Sequence, residues 1–353
     1  MRRHGIPDSA LAGAVKHHVE LQPGGITFDV LPGETVLEAA LRQQIDLPHG
    51  CQEGLCGNCL GRLLAGTVAY DEPPPALDED ARAGGLALLC QARPLENLVV
   101  AIGAGEDSAP PLHYPARVET TQRLAPGVMQ LWLRLPAAAP LPYQPGQYID
   151  ILLPDGGRRA FSLANAPGEG TRLELHVRRV AGGRFTGWVF DGLQAGQLLR
   201  IHGPLGRFRF DRQSSRPAIL VAGGTGFAPI KAMIESLLAG GDERPLYLFR
   251  GARRRSGLYL DDLVDDWCQH HPNLNDTPVL SEPLPGDDWQ GARGTLVDAV
   301  VRRYPDLSGY DVYAAGPPAM IDAATAAFSA HGLPPGQFHH DRFEFAAPAP
   351  ARR

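Results

Sequence analysis

No stretch of this sequence approaches the roughly 20 consecutive apolar residues that a membrane span needs. The opening, MRRHGIPDSALAGAVKHH, has basic residues but lacks the continuous apolar segment of a secretory signal, so a cytoplasmic protein is expected. Basic charge is not in excess either: 33 Lys and Arg face 39 Asp and Glu, which argues against nucleic acid as a partner. Cysteines number only 5 in 353 residues. In a cytoplasmic chain that disfavours a disulfide scaffold. No convincing acid–base dyad or nucleophile stands out. The paired histidines His17, His18, His270, His271, His339 and His340 fall on surface-like segments and read as solvated surface rather than ligands.

Turn formers are abundant, with 41 Gly and 33 Pro. They predict many tight turns and β-rich modules rather than long helices. At about 100–200 residues per domain, two or three domains fit. The negative charge is unevenly spread: residues 1–103 hold 7 Lys/Arg against 13 Asp/Glu, and residues 104–353 hold 26 of each. An acidic N-terminal module can steer a basic protein surface toward itself.

Four cysteines carry the first chemical signal. Cys51, Cys56 and Cys59 lie in CQEGLCGNC, and Cys90 follows much later. This spacing, Cys-x4-Cys-x2-Cys with one distant Cys, is that of plant-type [2Fe-2S] ferredoxins. Gly50, Gly54 and Gly57 let the backbone approach and aim N–H groups at sulfur. A structural zinc site more often shows two close Cys pairs. Cys268 is read as a helical thiol outside this set. The flanks predict a β-grasp-like unit. HHVELQP and ITFDVL form a hairpin around Gly24-Gly25. A helix enters at Thr35 with Val36, Leu37, Ala40 and Leu41 inward, and GRLLAG is a strand.

AGEDSAPPLHYP reads as a connector. The expected division is a [2Fe-2S] domain over 1–103 (ordered from about 17), a linker over 104–111, a flavin barrel over 112–212, a nucleotide domain over 213–345 and a tail over 346–353. In the middle segment ARVETTQRL, VMQLWLRL, QYIDILL, RAFSLAN and LELHVRRV alternate with turns, predicting a small antiparallel barrel. In RAFS, strand alternation puts Arg159 and Phe161 on one face and Ser162 on the other. A flavin needs a cation for its pyrophosphate, a flat apolar wall and a hydrogen-bond donor beside N5, and these residues supply all three. Gly182-Gly183-Arg184-Phe185-Thr186 opens a helix whose N-terminus and hydroxyl suit phosphate. GPLGRF (203–208) reads as a tight turn ending the barrel.

RPAILVAGGTGFAPIKAMIESLLAG reads as buried strand, glycine loop and helix, with Gly223, Gly224, Thr225 and Gly226 in the turn and Pro229 near the helix start. Such a loop presents backbone N–H groups to a nucleotide pyrophosphate. PLYLFRGARRR, and DVYAAGPPAMIDAATAAF with its turn at Gly316, Pro317 and Pro318, add strands and a helix. The result is a doubly wound parallel sheet. Arg250, Arg253, Arg254 and Arg255 follow the second strand. They suit a 2′-phosphate, or else form a solvated cluster or a stack on adenine.

Together these motifs resemble the ferredoxin–NAD(P)H reductase superfamily, over residues 17–345. The order of ferredoxin, flavin and NAD modules is similar to reductase components of bacterial multicomponent oxygenases. ETVLEAALRQ, RRAFSLANAP, LELHVRRV and GTGFAPIK look closer still to CDP-6-deoxy-glucoseen reductases. The resemblance implies a multidomain fold of α+β and β/α parts: a β-grasp [2Fe-2S] ferredoxin, an antiparallel flavin barrel and a doubly wound NAD domain. It implies a [2Fe-2S] cluster on Cys51, Cys56, Cys59 and Cys90, FAD, and NAD(P)H with NADH favoured. Arg159, Phe161 and Ser162 become flavin contacts, His176, Val177 and Arg178 line its ribityl and phosphate side, and Gly183 and Thr186 meet the pyrophosphate. Gly223, Gly224, Thr225, Gly226, Gly316 and Pro317 border the nicotinamide nucleotide. Ser162, Ala315, Gly316 and Phe343 surround hydride transfer. Ala315 departs from the family, which usually has Cys there. Phe343 either covers the flavin or packs in the core.

The expected activity is electron transfer from NAD(P)H through FAD and the cluster to a protein acceptor, an oxygenase or sugar-nucleotide dehydratase component. A stand-alone reductase of quinones or ferric chelates is the alternative. A binding protein that has lost its cofactors is a third reading, which the intact cysteines oppose.

Overall fold

Val19, Leu21, Phe28 and Val30 are buried between exposed or half-buried neighbours, the period-2 pattern of strands covered on one face. In the computed structural model, which describes residues 16–45, 47–49, 52–54, 57–77, 79–102 and 112–343, they form the hairpin β1 (His17–Gln22) and β2 (Ile26–Val30). Helix α1 (Val36–Arg42) starts as expected at Thr35. The Thr35 hydroxyl accepts from Glu38 N at 3.2 Å, and Glu38 Oε2 accepts from Thr35 N at 2.9 Å, a capping box. Ala39 is buried in place of Leu41, which is 38% exposed. At about 100° per residue the buried arc centres between Val36 and Ala40 and leaves Leu41 outside it. Then come β3 (Leu60–Ala65), β4 (Val68–Ala69), α2 (Glu79–Ala83), β5 (Leu86–Leu88), β6 (Arg93–Pro94) and β7 (Leu98–Ile102). The sheet order β2-β1-β7-β3-β5, with β1 and β7 parallel, is the β-grasp arrangement.

The chain divides into two units, 1–108 and 109–353. The second opens with β8 (Leu112–Ala125), so LHYP, read with the connector, is strand. β9 (Val128–Arg134), β10 (Tyr148–Leu152), β11 (Arg158–Ser162), β12 (Arg172–Arg178), helix α3 (Arg184–Asp191) and β13 (Leu198–Leu205) follow. All strand pairings are antiparallel, in the order β11-β10-β13-β8-β9-β12, and a Leu163–Leu175 bridge closes the barrel. Leu131, Leu133, Ile149, Leu173, Leu175 and Ile201 fill it. Gly203-Pro204-Leu205, expected as a turn, is the end of the central strand β13. A Cβ on Gly203 would lie 2.8 Å from Ile149 Cγ2, so the glycine serves strand packing.

β14 (Ala218–Gly223), α4 (Phe227–Ala239), β15 (Leu246–Ala252), α5 (Asp261–His270), β16 (Leu274–Leu280), β17 (Ala292–Arg293), α6 (Leu296–Arg303), β18 (Asp311–Gly316), α7 (Pro318–Ala330) and β19 (Phe338–Arg342) complete the unit. The six strands are all parallel, ordered β17-β16-β15-β14-β18-β19. The order reverses at β14, whose neighbours are β15 and β18, and a crevice lies outside the carboxyl ends of strands at such a switch. His339 and His340, expected on the surface, lie half-buried on β19, and the His339 ring stacks on Tyr313 at 4.7 Å. No helix among the described residues is long and apolar enough to cross a membrane.

Candidate active site

The carboxyl ends of β14 and β18 touch. A Cβ on Gly226 would lie 1.9 Å from the Ala315 carbonyl oxygen, and one on Gly223 would lie 2.6 Å from Met320 Sδ. Only glycine permits this approach. Gly224, with φ +58°, turns the chain through buried Thr225 and Gly226 into α4. Phe227 N–H closes the turn onto Gly224 O, and the glycine-shaped start of the helix suits a diphosphate. Across the crevice, Gly316 O accepts from Phe343 N at 2.9 Å, and Pro317 caps α7. Ala315 is wholly buried, and Phe343 is half-buried.

The barrel supplies the facing wall. On β11, Phe161 packs 5.6 Å from Phe185 of α3, which unites the two flavin elements expected from sequence. Ser162 points the other way and donates to Asp341 Oδ2 at 3.2 Å. Asp341 pairs in register with Ala315, so serine, carboxyl and the end of β18 form one cluster. Burial pushes the Asp341 carboxyl up to about 6, against the Ser162 hydrogen bond that favours its charge. Arg178 is exposed, with Nη1 3.4 Å from a Cβ built on Gly224, so the barrel holds a cation beside the nucleotide turn. Arg159 folds back on its own strand, donating to Arg158 O at 2.7 Å.

Three expected flavin contacts are placed differently. The Val177 side chain is inside the barrel core, so only its backbone remains for a ligand. His176 is buried, with Nε2 3.0 Å from Glu174 Oε1 and Nδ1 3.1 Å from the Tyr259 hydroxyl, so both ring nitrogens are engaged in protein contacts. The Thr186 hydroxyl accepts from Val180 N at 3.1 Å and donates to Gly183 O at 3.3 Å. It locks the turn, leaving the backbone N–H groups of α3 for phosphate.

Sequence reading missed the group around His176. Lys231 of α4 donates to Ala164 O at 3.0 Å, Glu174 Oε2 at 2.7 Å and Glu235 Oε1 at 2.7 Å. Burial alone would raise the Glu174 carboxyl. The His176 hydrogen bond and the Lys231 charge outweigh it and bring Glu174 down to about 2. Burial lowers His176, so a neutral ring donates from Nε2 to the carboxylate and accepts at Nδ1 from Tyr259. The arginine cluster splits. Arg250 is buried against Asp276 Oδ2 at 2.6 Å and Asp261 Oδ1 at 2.8 Å, whereas Arg253, Arg254 and Arg255 are exposed. A separate cleft of about 480 Å³ beside α5, lined by Arg250, Asp276, Cys268 and Trp289 among others, includes none of the crevice residues.

In the N-terminal unit, Cys51 and Cys56 lie outside the described residues. Cys59 and Cys90 are both buried, and Leu89 N donates to Cys59 O at 3.0 Å, which brings their segments together. Gly54, with φ +73°, leaves no room for a side chain beside Pro74 Cβ at 2.9 Å. Buried thiols on glycine-shaped segments are a soft donor set that fits an iron–sulfur cluster. Phe161, Arg178, the open end of α3 and the Gly223–Gly226 turn likewise fit a flavin and a dinucleotide.

Family models agree: a 2Fe-2S iron–sulfur cluster binding domain matches residues 19–95, an oxidoreductase FAD-binding domain 115–210, and an oxidoreductase NAD-binding domain 220–326. The chain belongs to the ferredoxin–NAD(P)H reductase superfamily, as a flavin and iron–sulfur oxidoreductase that passes electrons from NAD(P)H through FAD to a [2Fe-2S] cluster. Among its relatives, the CDP-6-deoxy-L-threo-D-glycero-4-hexulose-3-dehydrase reductase of Yersinia pestis is 38% identical over 329 residues, covering 92% of this chain and 98% of the relative. The reductase subunit of an Amycolatopsis aromatic O-demethylase is 38% identical over 328 residues, covering 91% and 97%. An Amycolatopsis cytochrome P450 reductase structure superposes with TM-score 0.72 at 36% identity, covering 94% of this chain and all of that one.

Proposed function

We propose that this reductase delivers single electrons to a protein partner, an oxygenase or sugar-nucleotide dehydratase component, with NADH as donor. One observation carries the reading: the flavin strand meets the nucleotide crevice through the Ser162–Asp341 contact at 3.2 Å, on a chain that also carries a ferredoxin module. A small acceptor taking hydride needs no cluster, and the similar proteins include a reductase subunit of an O-demethylase. Bound FAD accepts two electrons together and releases them singly.

The residues divide the work by position. Phe161 forms the apolar wall, and Ser162 orients the reacting edge. Asp341 Oδ2 accepts the Ser162 hydroxyl proton at 3.2 Å and so fixes the direction of that hydroxyl at the reacting edge. Gly183 and the backbone of α3 bind the flavin pyrophosphate, joined by Arg159 and Arg178. Gly223, Gly224, Thr225, Gly226, Gly316 and Pro317 bind the dinucleotide. Ala315 keeps the floor small, and Phe343 closes the outer side. Cys51, Cys56, Cys59 and Cys90 hold the cluster. Glu282 N donates to Arg253 O at 2.8 Å, and the two side chains face each other at 4.0 Å. A carboxylate there offsets the arginine charge and opposes a 2′-phosphate, which favours NADH.

The holoprotein is expected to reduce cytochrome c with NADH, and Cys59→Ser to abolish nearly all of this while ferricyanide reduction survives. Equal loss of both activities overturns the electron order.

A further inference from the structure

Lys231 is 4% exposed in the second turn of α4, the helix that begins at the nucleotide turn. Its three bonds, to Ala164 O, Glu174 and Glu235, use every N–H of an ammonium. Glu235, one turn further on, accepts from Ala166 N through its other oxygen at 3.0 Å. One helix thus grips the backbone of the flavin segment at two points. That segment follows directly on Ser162 along the barrel edge, where Ala164 N still donates to Glu174 O at 2.8 Å, and the gripping helix starts directly after Gly226. Net stabilisation does not account for the arrangement, because a buried ion pair roughly breaks even with well-packed apolar groups. Its directional, saturated bonds do fix a distance.

We propose that Lys231 and Glu235 are positioning residues that set the gap between the flavin strand and the nucleotide turn, and so the approach of hydride donor to acceptor. The proposal rests on the site reading given above. Reacting atoms must come within about 3–3.5 Å, and a misplacement of about 1 Å costs up to about 100-fold. The strut works through Ala164 and Ala166 and touches neither reactant.

The test is stopped-flow reduction of the flavin in holoprotein by NADH and by its C4-deuterated form. Glu235→Ala removes one grip at a side chain that is 26% exposed, so the fold is retained. Lys231→Met with Glu174→Gln removes the other without stranding a buried carboxylate. The limiting rate at saturating NADH is expected to fall about fivefold in the first and about 30-fold in the second. The isotope effect should grow, with flavin content and half-saturation little changed, and Lys231→Arg should restore part of the rate. A limiting rate within about twofold of the parent in Glu235→Ala, or a loss confined to half-saturation, overturns the proposal even if the double variant fails to fold. Ser162→Ala separates the two levels. If it slows reduction while the strut variants do not, the strut alone is wrong; if it too is fast, the site reading falls and takes the strut with it.

Discussion

Two carboxyls of the reductase unit behave in opposite ways. Glu174, at the junction of barrel and α4, meets an ammonium and an imidazole and is held down to about 2. Asp341, at the carboxyl edge of the parallel sheet, meets one serine hydroxyl and is pushed up to about 6. Glu174 is fully buried and Asp341 half-buried, so the more buried carboxyl is the one held down, and the charge of the neighbours rather than burial separates them. A carboxylate ionised at every physiological pH is a structural tie. One that titrates near neutrality can hold and release a proton, as a group beside a reacting centre must.

The largest way to break the comparison is to leave Glu174 without its cation. Lys231→Met alone is expected to cost about 3–5 kcal/mol, the usual loss when one partner of a buried pair is removed, read as a fall in urea midpoint. A loss under about 1 kcal/mol would show Glu174 to be solvated after all. The next effect concerns pH. The folded form holds the Asp341 proton more tightly than the unfolded chain, so Asp341 lowers stability by on the order of 2–3 kcal/mol as pH rises from about 4 to about 6. Glu174 has the opposite sign: its contribution is complete above the ordinary glutamate range and is lost as pH falls toward about 2. Asp341→Asn should therefore remove the downward slope between pH 4 and 6 from unfolding curves and leave acid unfolding in place. Third, Ser162→Ala is expected to slow flavin reduction by about 30-fold, or about 2 kcal/mol. It should also raise Asp341 further, because its one favourable hydrogen bond is gone.

The same contrast explains what was legible in sequence. RAFS, GGTG and the cysteine spacing are local: a strand's alternation and a glycine's freedom act over a few residues, so their neighbourhood is written beside them. The helix start at Thr35 is readable for that reason. Lys231 and Glu174 are 57 positions apart, and Ser162 and Asp341 are 179 apart. Their meeting depends on how two separate sheets dock, which no periodicity reports. Arg250 was grouped with its arginine neighbours because the carboxylates that bury it come from the next helix and the next strand, Asp261 and Asp276. β13 was lost because Gly203-Pro204 has turn chemistry, whereas here close packing on Ile149 selects the glycine.

Glu119 supplies the smallest and sharpest test, because it matches Glu174 in having two basic partners but differs in burial. It bonds Arg134 at 2.7 Å and Arg172 at 2.6 Å, with its side chain 29% exposed. Those bonds lower its pKa against a small opposing effect of burial, so its contribution too is lost as pH falls. Solvent already screens this pair, and Arg172 keeps a second contact, 3.9 Å over the Trp132 ring, when the carboxylate is removed. Glu119→Gln should therefore cost no more than about 1 kcal/mol. The difference from the parent should shrink further as salt rises toward about 1 M, where the Debye length is only about 3 Å. A loss as large as that of Lys231→Met, insensitive to salt, would mean that partner number rather than burial governs these carboxylates.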